Sequence, residues 1–159
     1  MLKKLVKILI ILSFPLNAVF AADIPIIVIA PSKKGQSVST VGTSVTVLDE
    51  TFFKNSNEFF LADALATNST SINLFQSGGH GQNSAIQLRG MPKRYSTVYI
   101  DGVKMSDPAS PDNSFYFNHL LTSQIARVEI LKGNQSSVYG SGAIGGTINI
   151  TTKKGEPGF

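Results

Sequence analysis

Two histidines, two loop aspartates and one glycine run are the places where this chain could do chemistry. His80 lies in Gly78-Gly79-His80-Gly81 and His119 beside Leu120 and Leu121, and neither has a third ligand at metal-binding spacing. Asp107 and Asp112 could act as an acid and base pair, but each neighbours a proline (Pro108, Pro111), where aspartate usually shapes turns. Gly140-Ser141-Gly142-Ala143-Ile144-Gly145 matches GxGxxG, a pattern whose backbone amides can hold a pyrophosphate at a helix N-terminus. That use needs a helix after the third glycine and an acidic residue about 20 positions on. Here Gly146 leads instead into Thr147-Ile148-Asn149-Ile150, which alternates like a strand, so the run is expected to be a tight sheet corner. The chain has no cysteine, no GxSxG elbow and no P-loop. These residues favour a binding or gating module over a catalyst, with no catalytic residue, metal or cofactor expected.

The elements that must position such a module are readable from periodicity. Val128 and Ile130 alternate with Glu129, and Ile148 and Ile150 with Thr147, Asn149 and Thr151, so two strands flank five glycines within fourteen residues (133 to 146). Val45 and Val47 against Thr46 and Leu48 predict a strand over 43–48. Asp49 is positioned to cap a short helix carrying Phe52 and Phe53, and Asn57 to open a second over 58–66 with Phe60, Leu61, Ala64 and Leu65 on one face. Ile72-Asn73-Leu74-Phe75 and 85–89 read as strands around a polar loop at 76–83. Asp101-Gly102 between Val98-Tyr99-Ile100 and Val103-Lys104-Met105 is a strong hairpin signal. Residues 106–114 form a second polar loop, and Phe115, Phe117, Leu120 and Leu121 are expected in the core.

The N-terminus is of another kind. Lys3, Lys4 and Lys7 precede an apolar run from Ile8 to Leu16, and Val19-Phe20-Ala21 supplies a cleavage pattern, so residues 1–21 read as a secretory signal peptide cut after Ala21. A membrane-spanning helix needs about 20 mostly apolar residues, and Lys7, Pro15 and Asn17 leave too few. Loss of those three lysines lowers the formal charge from +4 to +1, which is no footprint for nucleic acid. The segment that follows, Ile24-Pro25-Ile26-Ile27-Val28-Ile29-Ala30-Pro31, is apolar, β-branched and bounded by prolines. It suits either an edge strand of this domain or a strand added to another protein's sheet.

Four separated pieces carry a family resemblance. They are Leu88-Arg89-Gly90; Val98-Tyr99-Ile100-Asp101-Gly102-Val103; Arg127-Val128-Glu129-Ile130-Leu131-Lys132-Gly133; and Ser137-Val138-Tyr139-Gly140 through Ile150. In order and spacing they resemble the plug domain of TonB-dependent outer-membrane receptors. Gly78-Gly79-His80-Gly81-Gln82 and 139–146 are most similar to the cobalamin receptors within that family. The resemblance implies an α+β fold: a small mixed sheet of about four strands, with short helices and long loops, filling a 22-stranded barrel. It implies a division into signal peptide (1–21), TonB box and tether (22–40) and plug (41–157), exported to the outer membrane with its inner side toward the periplasm.

The same resemblance assigns roles. Residues Ile24 to Pro31 occupy the place of the TonB box, which pairs as a strand with the periplasmic energy transducer TonB. Arg89 and Arg127 correspond to arginines that meet acidic residues of the barrel wall, although Arg127 is equally placed to pair with Glu129. Ligand contacts correspond to Asn83, Ala85, Pro92, Ala109, Ser110 and Pro111, in the loops 78–85, 91–96 and 106–113. The implied ligand is cobalamin, or another scarce nutrient such as a ferric siderophore. Residues 1–159 contain no ladder of ten-residue membrane strands, so the expectation is a receptor whose barrel lies outside this sequence, or a barrel-less periplasmic module.

Overall fold

The computed structural model describes residues 27–28 and 34–155. Ala21 and the box positions Ile24, Pro25, Ile26, Ile29, Ala30 and Pro31 lie outside the described residues.

Among the described residues the alternating stretches assemble as nine strands: β1 (Ile27–Val28), β2 (Gln36–Ser37), β3 (Ser44–Leu48), β4 (Ile72–Gln76), β5 (Ser84–Leu88), β6 (Ser96–Ile100), β7 (Val103–Met105), β8 (Ile125–Lys132) and β9 (Gly146–Thr152). Five form the central sheet in the order β3-β8-β9-β6-β7, one strand more than the family resemblance suggested. Only β6 and β9 run parallel; the other pairs are antiparallel. Register follows the hydrophobic pattern: Val128 faces Ile150, Ile130 faces Ile148, and Val98 faces Ile148 on the other side, so one face becomes a continuous apolar floor.

That floor is covered by the β4–β5 hairpin, by Phe117 and by two helices, α1 (Glu50–Asn55) and α2 (Leu61–Asn68). Asp49 caps α1 as expected, its Oδ1 accepting from the Phe52 amide at 2.9 Å, and Phe53 is buried. Asn57 does not open α2. The backbone around Phe60 bridges to Leu121, and the Leu61 amide donates to the Leu120 carbonyl at 2.9 Å. A carbonyl from a distant segment thus satisfies an orphan N-terminal donor, and the helix starts only at Leu61. Its buried face is Leu61, Ala62, Ala64 and Leu65.

The second face of the sheet is also covered. Leu131 packs with Tyr139 and Ala143, against Val45 and Tyr99. Glu129, expected on a polar face, is therefore only 2% exposed. A register shift between Ile125 and Arg127 turns Ile125 to the apolar floor and leaves Arg127 beside Glu129.

The Asp101-Gly102 tip forms as expected, with φ of 48° and 84° at its two central residues. Asp101 also accepts from the Thr152 hydroxyl (2.6 Å) and amide (2.9 Å), tying the tip to the end of β9 and holding the Asp101 carboxyl below its ordinary range. The glycine run is more ordered than a corner. Gly133 and Gln135 amides donate to the Gly145 and Ala143 carbonyls, so the β8 and β9 stems continue past the strands. A single helical turn, α3 (Ser136–Tyr139), closes the loop. No helix follows Gly145; β9 does.

Candidate functional site

Hairpin and parallel geometry together build the site. Since β6 begins where β7 ends, segments 91–95 and 106–114 meet at one end of the sheet. Because β9 runs parallel to β6, its preceding segment 141–145 arrives at the same end, where the Gly145 amide donates to the Tyr95 carbonyl at 2.9 Å. Between the three segments lies an open cleft of about 420 Å³, within the range of small-ligand sites. Gly142 lines it, and a Cβ there would come within 3.2 Å of Thr97 Oγ1.

The two longer segments are tied together. Lys93 Nζ donates to Tyr116 Oη at 2.6 Å and lies 3.7 Å from Asp112 Oδ2. Asp112 Oδ1 accepts from Ser110 Oγ at 2.6 Å and from the Ser114 amide at 3.3 Å. Asp107 Oδ1 accepts from the Ala109 amide at 2.9 Å. Both aspartates are thus occupied in shaping their turns.

Hydrogen bonds from Ser110 and then Ser114, with the Lys93 charge adding to them, hold the Asp112 carboxyl at about 2, below its ordinary 3.8. A carboxyl depressed by folding contributes stability above its unfolded pKa, and loses that contribution as pH falls through the folded value. The tie is therefore expected to be intact above about pH 4 and lost toward pH 2. The Ser114 amide resonance should titrate across that window. In Asp112→Asn it should stay constant with pH, and a wild-type resonance that does not move would refute the tie.

The other sequence-predicted residues separate. Pro92, Ala109 and Pro111 are exposed in the segments around the cleft, while Ser110 is buried with its hydroxyl on Asp112. Asn83 is exposed at the far end of β5, its Oδ1 accepting from Asn118 Nδ2 at 3.2 Å. Ala85 is fully buried and offers no surface to a ligand. Arg89 falls just past β5 in a left-handed conformation (φ 54°), exposed. Arg127 Nε lies 3.0 Å from Glu129 Oε1, so the local pair is formed. His80 stacks on Phe60 with ring centroids 5.7 Å apart, and its Nδ1 is 3.1 Å from Asp63 Oδ2, which pins the glycine loop to α2.

Sequence reasoning placed Arg94 within the ligand loop 91–96 without singling it out and missed Lys104; the two line the cleft from different segments. Their only signal was charge, because their proximity depends on strand pairing.

Residues 37–147 match the family described as the TonB-dependent receptor plug domain. The chain belongs to this family. The plug is 31% identical over 130 residues to the vitamin B12 transporter BtuB of Vibrio vulnificus (strain CMCP6), an alignment covering 82% of this chain and 21% of that protein. It therefore spans about a fifth of the length of that curated relative.

Among solved structures, the plug resembles the ferric yersiniabactin uptake receptor FyuA from Yersinia pestis (TM-score 0.56, 27% identity, 76% of this chain and 18% of that one). It also resembles the siderophore receptor PiuA from Acinetobacter baumannii (TM-score 0.58, 27% identity, 77% of this chain and 16% of that one). The alcaligin outer-membrane receptor FauA from Bordetella pertussis shares the fold at a TM-score of 0.63 and 18% identity, over 84% of this chain and 22% of that one.

Proposed function

We propose that this plug gates energised uptake of cobalamin through an outer-membrane receptor. The observation that carries the reading is the 31% identity over 130 residues to a vitamin B12 transporter. A second reading, uptake of a ferric siderophore, is favoured by the 27% identity to the FyuA and PiuA structures. In both, residues Ile24 to Pro31 serve as the box that adds a strand to TonB, and Arg89 and Arg127 face the wall of the surrounding barrel. Residues 1–21 direct export and are removed after Ala21. Ligand touches the segments holding Pro92, Ala109 and Pro111.

Support for the box comes from the backbone: Ile27–Val28 is already extended and pairs antiparallel with Gln36–Ser37, as a segment suited to strand addition should be able to do. The test is uptake of labelled cyanocobalamin and of ferric siderophores by cells with and without this gene. Cobalamin entry should require the gene and stop when a protonophore collapses the proton gradient. Entry of siderophore iron alone would select the second reading, and gene-independent entry of both would overturn the proposal.

A further inference from the structure

We infer that the cleft between segments 91–95, 106–114 and 141–142 binds an anionic ligand group, a carboxylate or phosphate, through Arg94 and Lys104. The inference rests on the uptake reading and names the ligand chemistry of that same site. Three cations lie on the segments that border the cleft: Lys93, Arg94 and Lys104. Lys93 is committed to Tyr116 and Asp112, and its ammonium is stabilised there chiefly by the Tyr116 hydroxyl. The same contact, with the hydrogen bonds from Ser110 and Ser114, occupies the negative charge of Asp112.

Arg94 and Lys104 are left over. Both are exposed on the cleft, and neither forms an ion pair among the described residues. The Arg94 guanidinium is braced 4.8 Å from the centre of the Tyr95 ring, a stacking that limits its freedom while leaving its N–H fork open. Ser96 also lines the cleft. Met105 and Phe115 supply an apolar flank beside these polar groups. An arginine fork and an ammonium around a cavity of about 420 Å³ match a mid-sized ligand with anionic oxygens at one edge. The closing of the cleft by a ligand would also strengthen these interactions by excluding water.

The test uses the protein as the cell makes it, in isolated outer membranes, with three probes. Ferric dicitrate presents carboxylates, cyanocobalamin presents a phosphodiester, and ferrioxamine B is a cationic iron chelate. The parent is expected to bind ferric dicitrate or cyanocobalamin, and the one bound identifies the source of the anionic group. Arg94→Gln and Lys104→Gln should each weaken it roughly fivefold, and the pair about 25-fold. Both side chains are exposed, so the variants should keep the parental melting temperature. Binding of an anionic probe unchanged in the double variant overturns the cleft assignment and leaves the uptake reading standing. Tighter binding of ferrioxamine B than of either anionic probe overturns it too. A lowered melting temperature with unchanged affinity reassigns the two charges to contact with the barrel. Failure of all three probes to bind overturns both the assignment and the uptake reading beneath it.

Discussion

Gly146→Ala is expected to abolish folding. Gly146 opens β9 at a φ of 148°, a conformation that L-residues rarely adopt, which alone costs about 1–3 kcal/mol. Space makes the cost larger. A Cβ there would collide with the Leu131 carbonyl oxygen and stand 2.6 Å from Leu88 Cδ1. The first obstacle is backbone of the neighbouring strand β8 and cannot rotate aside; the second belongs to a fully buried core residue. Relieving both means breaking the β8–β9 ladder at Lys132 and Gly146, and with it the parallel pairing to Ser96. The combined loss should exceed about 4 kcal/mol, the range reserved for gross steric or cavity defects, against a typical total of about 5–15 kcal/mol. Circular dichroism and denaturant unfolding should show little or no cooperative transition. Gly42→Ala is the control: that position has open space and an ordinary φ, so its effect should lie within about 1 kcal/mol of zero. A melting temperature for Gly146→Ala within a few degrees of the parent would falsify this account.

Ile27→Pro is expected to stop energised uptake while leaving the plug folded. Under the box reading, the segment acts by lending its backbone to another protein's sheet edge, where every amide on the paired side is a donor. Proline removes one such donor and fixes φ, interrupting the new ladder at its middle. Among the described residues the same strand pairs over two positions, Ile27 with Ser37 and Val28 with Gln36, in a ladder separate from the central sheet. Losing that short ladder should not disturb the core, so the melting temperature and ligand affinity should match the parent. Labelled-substrate entry should fall to the level of protonophore-treated cells. Entry at the parental rate would remove the box from residues 24–31, and loss of affinity together with entry would show that the substitution acts on the fold instead.

What could be read from residues alone was whatever depends on neighbours in the chain. The Asp49 cap, the Asp101-Gly102 tip and the alternation in β3, β8 and β9 are local, and the structure contains them. The α2 start was misplaced because its first amide is satisfied by Leu120, some sixty positions away. Glu129 looked solvent-facing because alternation shows which face a residue takes, not what covers that face; Tyr139 and its neighbours cover it. Ala85 was named as a ligand contact by the family resemblance alone, and β5 is buried along most of its length. Arg94 and Lys104 were invisible as a pair for the same reason that α2 was misplaced: hairpin and parallel pairings bring them to one cleft. The family was legible throughout, because its identifying pieces are themselves local turns and strands.

The position of β9 has a consequence in time as well as in space. It is the middle strand of the sheet, bonded to β8 on one side and to β6 on the other, yet it is the last strand in chain order among the described residues. During synthesis, β3 with β8 and β6 with β7 can pair as separate ribbons, but nothing joins them until residues 146–152 emerge. Closing the parallel pair also requires residue 96 to find residue 146 across an intervening segment that holds β7 and β8, a slow step of high contact order. Among the described residues, the sheet is therefore complete only once the strand that emerges last has been made.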